Sequence, residues 1–299
     1  MKNYYGVSQS VHGHEYRWIY DEDTLKDKIM PLRQIDITEC HQHLLGIAHC
    51  FDQLCADHHI PYYMLGGTML GAIRHKGFIP WDDDMDFGIP RPFFDRFIEI
   101  AEKELPQQYS LLTRQNSPAI PKGFIKIQLK GSKLVEKVFE AQKPDFYNGI
   151  AIDIFPLDGC DSTSWLDRLR IKYIFMLIRI HEGRFCSLDI RKGVKKLAAA
   201  IIKALPLNDK RLADCIDQLI QSWNYETSPM LSNCYGHWKE REIIYKQVFG
   251  QPKHYAFGTL SLYGVSDADS YLKQLYGNYM LLPPKEQQLT HADEIYVTE

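Results

Sequence analysis

The 299-residue sequence has no excess of positive charge: 35 Lys and Arg stand against 38 Asp and Glu, a net of −3. A protein that grips nucleic acid through its phosphates carries a basic surplus, so no nucleic-acid partner is expected. Long apolar runs are missing too. The longest stretch, Ile171 to Ile180, is broken by Lys172 and Arg179 and falls far short of the ~20 residues of a membrane span. None of the seven cysteines (Cys40, Cys50, Cys55, Cys160, Cys186, Cys215 and Cys234) forms a C-x-x-C pair, and an odd number argues against a disulfide framework. Internal repeats, low-complexity tracts and an apolar segment within Met1 to Ser10 are also lacking. These absences predict a cytoplasmic protein with reduced thiols. What remains, 45% hydrophobic and 24% charged residues, is the makeup of an ordinary globular chain, long enough to bury about three quarters of its unfolded surface.

Residues 1–34 are polar and aromatic with weak periodicity and read as an N-terminal arm. From Ile35 to His59, Ile37, Leu44, Ile47, Phe51 and Leu54 recur at helical spacing. Tyr62 to Leu65 reads as a short strand, followed by Gly66-Gly67-Thr68 and a helix through Arg74. Asp84 to Ile89 alternates as a strand does, and Arg91 to Glu104 is again helical. Tyr109 to Thr113, Phe124 to Leu129 and Ile150 to Phe155 are strand candidates. Trp165 to Ile180, Val194 to Leu205 and Leu212 to Trp223 are helical. Strands interleaved with helices predict an α/β (α+β) core over 35–160 and a helix-rich C-terminal region over 161–299.

Three features point to chemistry. A strand, a glycine pair and a helix start form a phosphate cradle, because the glycines admit an anion close to unpaired helix N-terminal N–H groups. Thr68 is placed to cap that helix. A plain tight turn is the alternative. Next, Trp81-Asp82-Asp83-Asp84-Met85-Asp86-Phe87 packs four carboxylates into five positions. In a strand, Asp84 and Asp86 share one face while Met85, Phe87 and Ile89 share the other. Carboxylates held side by side repel unless a cation lies between them, and Mg²⁺ or Mn²⁺ suits oxygen donors. The alternative is a solvated acidic turn after Pro80, which accounts better for Asp82 and Asp83 than for Asp86. Third, Asp153 is the one charge in Ala151-Ile152-Asp153-Ile154-Phe155-Pro156, an expensive placement unless it is paired or metal-bound. Asp158, like Asp82, reads as a turn residue. Cys40, His43, Cys50 and His59 lie along one helix, too spread out to converge on one zinc ion.

Leu65-Gly66-Gly67-Thr68, Gly71-Ala72-Ile73-Arg74-His75 and Gly77-Phe78-Ile79-Pro80-Trp81-Asp82-Asp83-Asp84-Met85-Asp86 together resemble the LicD family of phosphocholine-type transferases, relatives of the fukutin-related proteins. Ile152-Asp153-Ile154-Phe155-Pro156-Leu157-Asp158 is similar to its second motif. Tyr276-Gly277-Asn278-Tyr279-Met280 with Leu282-Pro283-Pro284 is similar to its C-terminal one, with Asn278 where Asp is common. The resemblance implies a nucleotidyltransferase-like fold, a small mixed sheet flanked by helices. It also implies transfer of a substituted phosphate, phosphocholine first, from a CDP-linked donor to a hydroxyl of a cell-surface glycan precursor. Glycerol- or ribitol-phosphate transfer, or an inactive donor- or glycan-binding protein, are the alternatives. On this resemblance Asp84, Asp86 and Asp153 are the catalytic and metal-binding set for Mg²⁺ or Mn²⁺. Gly66, Gly67, Thr68, Arg74 and Lys126 bind the donor's phosphates, and His75 and His291 lie near the cleft.

Residues 165–205 carry ten Lys and Arg against three acidic residues. Basic residues flanking an apolar run suit an anionic surface, either a membrane or a phosphate-bearing acceptor, with a core helix and a solvated basic rim as the alternative.

Overall fold

The computed structural model describes residues 4–11, 14–21, 31–117, 123–135, 149–185, 202, 204–290 and 292–298. A hairpin of β1 (Tyr4–Val11) and β2 (His14–Asp21) leads to β3 (Leu32–Ile35). Helix α1 (Ile37–Asp57) starts where Asp36 accepts the Glu39 N–H (2.8 Å), the N-cap arrangement that Asp at N-cap and Glu at N3 favour. Its buried stripe is Cys40, Leu44, Ile47, Ala48, Phe51, Leu54 and Cys55, the spacing read from the sequence. Next come β4 (Tyr63–Met64), α2 (Gly66–Arg74), β5 (Met85–Pro90) and α3 (Arg91–Glu104). Pro90 precedes α3 and Pro92 sits within its first turn, where a missing N–H costs nothing. Strands β6 (Tyr109–Leu112), β7 (Ile125–Leu129), β8 (Ser132–Val135) and β9 (Ala151–Cys160) complete the first half.

Beyond residue 160 lie α4 (Trp165–Phe185), α5 (Asp209–Ile220), β10 (Met230–Ser232), β11 (Ile243–Tyr245), α6 (Lys246–Phe249), β12 (Lys253–Phe257), β13 (Leu260–Gly264), α7 (Ala268–Tyr276) and β14 (Glu294–Thr298). The helix expected over Val194 to Leu205 falls mostly outside the described residues. The short strands after residue 230 are elements that hydropathy did not signal.

The main sheet runs β11-β10-β9-β5-β4-β13-β12. β5 and β9 are parallel, while β4 is antiparallel to β5 and parallel to β13. The free edge of β9 is shared: β7 pairs its first residues and β10 its last, both antiparallel, and β6 adds to β7. Strands from both sides of residue 160 therefore build one mixed sheet. A second sheet, β1-β2-β3-β14-β8, ties residues 32–35 to 294–298. Helices α1 and α3 cover one face of the main sheet. There Phe51 meets Tyr62 and Phe87 with ring centroids 4.8 Å apart, and Phe97 at 5.4 Å. This aromatic cluster is the centre of the core, and it fixes which face of each central strand is left for chemistry.

Candidate active site

The three central strands repeat one pattern, a charge between two buried apolar residues: Ile125-Lys126-Ile127, Ile152-Asp153-Ile154 and Met85-Asp86-Phe87. Strand alternation sends the apolar neighbours under α1 and α3 and the charged residues to the opposite face. The register then sets Lys126 opposite Asp153 and Asp153 opposite Asp86. Neighbouring strands lie about 4.8 Å apart, so the three form one rung across the sheet. Lys126 Nζ lies 2.7 Å from Asp153 Oδ1. Asp84, one residue before β5, lines the same cleft as Asp86 and Asp153.

The glycine turn is locked to this rung. Leu65 N–H donates to the Asp86 carbonyl (2.9 Å), and Asp86 N–H donates to Thr68 Oγ1 (2.8 Å). Helix α2 begins at Gly66 with Leu65 at N-cap, so Thr68 sits inside the first turn and holds β5 rather than capping the helix. Gly66 has φ +47°, and a Cβ there would lie 3.1 Å from Asp86 Oδ2; a Cβ on Gly67 would lie 2.7 Å from Asp82 Oδ2. The backbone therefore approaches the carboxylates as only glycine allows. Gly66 N–H is already taken by the Tyr271 hydroxyl (3.0 Å), which leaves Gly67 and Thr68 as the first-turn donors without an intrahelical acceptor.

These residues open onto a cleft of about 700 Å³. Its far wall comes from parts of the chain that the motif reading assigned no role: Asn233, Tyr235, Gly236, His237, Trp238, Lys239 and Glu242, with Glu182 from α4; Tyr276, from the C-terminal motif, joins them. Glu242 holds that wall, accepting from Asn233 Nδ2 (2.7 Å) and Trp238 N–H (2.8 Å). A Cβ on Gly236 would lie 2.1 Å from both Glu242 oxygens, so the loop closes on the carboxylate only because residue 236 is glycine. Trp238 packs edge-on to Tyr276 (5.2 Å), and Phe124 lies 4.9 Å from Phe155. In the sequence, the only signal for this wall was a polar-aromatic run with a glycine, Asn233 to Lys239.

Negative charge dominates the cleft. Burial, then Asp84, Asp153, Asp82 and Glu242, push the Asp86 carboxyl well above its usual range. Burial pulls the Lys126 ammonium down, but Asp153, Asp84 and Asp86 outweigh it and raise its pKa. Lys239 lines the cleft and pairs with Glu182 (3.0 Å). Asp82 faces the cleft rather than solvent, with its carbonyl bound by His41 Nε2 (2.7 Å). The donors are hard oxygens in acidic excess, a fit for a divalent cation. Among the described residues, however, no three His, Cys, Asp or Glu side chains are drawn together as a ready ligand set, and Asp153 is engaged by Lys126.

Other expected residues fall elsewhere. Arg74 ties down the segment after α7, donating from Nη1 to the Tyr279 carbonyl (2.9 Å) and from Nε to His75 (2.9 Å). Neither Arg74 nor His75 lines the cleft, because α2 carries them past its end. Lys126 and Thr68 also stand behind the cleft wall. Asp83 is buried and accepts the Ala292 N–H (2.6 Å). Asp158 is not a turn residue: it lies in β9 and takes a bidentate bond from Arg91 (2.6 and 2.8 Å). His291 lies outside the described residues.

Residues 59–170 match the LicD/FKTN/FKRP nucleotidyltransferase domain, a span that contains the glycine turn and the whole charged rung. The chain is 29% identical over 279 residues to the lipopolysaccharide cholinephosphotransferase LicD of Haemophilus influenzae, covering 89% of this chain and all of that protein. An uncharacterized protein of Rickettsia prowazekii is 35% identical over 78 residues, 26% of this chain and 27% of the relative. The glycine turn and the charged rung thus lie within a stretch, residues 59–170, that is a LicD/FKTN/FKRP nucleotidyltransferase domain, and the likeness to the Haemophilus influenzae protein extends beyond it over 89% of the chain.

Proposed function

We propose that the protein transfers phosphocholine from a CDP-linked donor to a hydroxyl of a cell-surface glycan precursor, releasing CMP, with Mg²⁺ or Mn²⁺ as cofactor. The observation that carries this reading is the convergence of Asp84, Asp86 and Asp153 with the Gly66-Gly67 turn on one cleft. The full-length likeness to a lipopolysaccharide cholinephosphotransferase supports it. Asp84, Asp86 and Asp153 would hold the cation. When bound, it supplies charge neutralisation on the reacting phosphate and the CMP leaving group.

The remaining work falls to the chain itself. The Gly67 N–H, at the cleft face of the first turn, orients a phosphate at the start of α2, and Thr68 holds β5 behind it. Lys126 fixes Asp153 and offsets part of the charge of the rung. The rings of Phe124, Phe155, Tyr235, Trp238 and Tyr276 border the cleft, surfaces that suit a quaternary ammonium through cation–π attraction. That lining favours choline over glycerol or ribitol, which would call for hydrogen-bonding walls. Incubation with Mn²⁺ and CDP-choline, CDP-glycerol or CDP-ribitol tests the reading. CMP released fastest from CDP-choline is expected. Preference for a polyol donor would reassign the alcohol, and no CMP from any donor would overturn transfer from a CDP-linked compound.

A further inference from the structure

Helix α4 is apolar on two sides. Ile171, Ile174, Phe175 and Ile178 are buried against the fold. On the other side Trp165, Leu166, Leu169, Tyr173 and Met176 are 66, 61, 53, 48 and 47% exposed. A helix that is hydrophobic all round is ordinarily covered all round; here the described fold covers one side. At about 100° per residue, the five exposed residues fill an arc of about 100°. Arg168, Lys172 and Arg179, all exposed, fill the adjoining ~40°.

The acidic residues of the helix lie on its other side. Asp167 accepts from the Trp223 indole (3.0 Å), and Glu182 pairs with Lys239. Arg170 stacks on Trp223 at 4.0 Å and belongs to the packed side. The exposed face is therefore an apolar strip with a Trp at one end, a Tyr in its middle and a flank on which Arg168, Lys172 and Arg179 outnumber the neighbouring Glu240.

We infer that this face of α4 docks the enzyme on an anionic lipid surface. The charge argues for lipid over a second copy of the chain. Self-association would set three cations against three cations, whereas anionic headgroups neutralise them while the apolar strip sinks to the level of the acyl boundary. Trp and Tyr are the residues that favour that interface. No described helix is long and apolar enough to cross a membrane, so the contact is peripheral. The inference is independent of the proposed reaction and needs no activity to test.

The full chain is floated at low salt with vesicles of phosphatidylcholine, or of phosphatidylcholine mixed with phosphatidylglycerol, and its oligomeric state is read by sedimentation velocity. Flotation with the anionic vesicles alone is expected. Lys172→Gln and Arg179→Gln should each weaken it by about fivefold, and the double variant Leu169→Ser/Met176→Ser by about tenfold or more. These residues are exposed, so circular dichroism and the thermal midpoint should not change. Equal binding to both vesicle types, no binding to either, or a wild-type dimer dispersed by Leu169→Ser/Met176→Ser would each overturn it.

Discussion

Lys126→Met removes the ammonium whose Nζ sits 2.7 Å from Asp153 Oδ1, a contact with side chains only 25 and 16% exposed. At an effective dielectric of about 20, a pair at about 3 Å is worth roughly 5 kcal/mol before solvation is counted. Stranding one partner of a buried pair typically costs about 3–5 kcal/mol. The partial exposure of Lys126 reduces this to about 2–3 kcal/mol, or about 3–5 °C in thermal midpoint for a chain of this size. The variant also leaves Asp153 beside Asp86 and Asp84 without the lysine, so a divalent cation should stabilise it more than the wild type. In the wild type a cation at the proposed site would compete with Lys126 for Asp153. Saturating Mn²⁺ at about a hundred times its dissociation constant adds about 2.7 kcal/mol, enough to return most of the loss. Thermal unfolding of both proteins, in chelator and in Mn²⁺, reads these effects. A variant as stable as the wild type in chelator, or one that gains no more from Mn²⁺, would refute the view that one acidic rung alternates between lysine and metal.

Asp158→Ala should cost about 3 kcal/mol, because it strands the largely buried Arg91 guanidinium; chemical denaturation measures the loss, and the stabilisation by Mn²⁺ should be unchanged. Gly66→Ala places a side chain at φ +47° and 3.1 Å from Asp86 Oδ2. It should lose about 1–2 kcal/mol of stability but a larger share of CMP release, which parallel unfolding and turnover assays separate. Burial, opposed by the Trp238 N–H, the Asn233 amide and Lys239, raises the Glu242 pKa from 4.5 to about 7. The folded state thus prefers the neutral carboxyl. Its contribution is full below the unfolded value and is lost as pH rises through about 7, a fall of roughly 2–3 kcal/mol. Glu242→Gln keeps the neutral form and can donate from Nε2 to Asn233 Oδ1, a buried oxygen with no partner, once that amide turns over. Urea unfolding at about pH 5 and pH 8 should show this part of the pH dependence in the wild type and not in the variant.

Local pattern carried much of the fold. The helical spacing of Leu44, Ile47, Phe51 and Leu54 marked the buried face of α1, and Arg91 to Glu104 is the observed span of α3. The alternation through Met85, Phe87 and Ile89 assigned the core face of β5, and with it the chemical face of Asp86. What sequence could not supply was partnership across distance. Thr68 looked like a cap because it follows two glycines, yet its hydroxyl serves the Asp86 N–H across the turn. Asp158 looked like a turn residue beside Gly159, and only the approach of α3 reveals Arg91 as its partner. Tyr271 and Glu242 carry no local signal, because the donors they satisfy, Gly66 and Trp238, are reached through tertiary packing or a loop closure. The strands β10 to β13 are three to five residues long, too short for hydropathy to resolve.

The central claim, that a metal held by Asp84, Asp86 and Asp153 drives transfer from a CDP-linked donor, is tested most directly by CMP release from CDP-choline by wild type and Asp153→Asn, each in Mn²⁺ and in chelator. Asn keeps the size and hydrogen bonding of the side chain but removes a negative charge where the cation would be held. Loss of one metal–phosphate interaction costs several kcal/mol of transition-state stabilisation, so turnover should fall by at least about a hundredfold. The wild type should fall silent in chelator. Turnover that persists without metal, or an Asp153→Asn protein that is folded and releases CMP at a near-normal rate, would contradict the account.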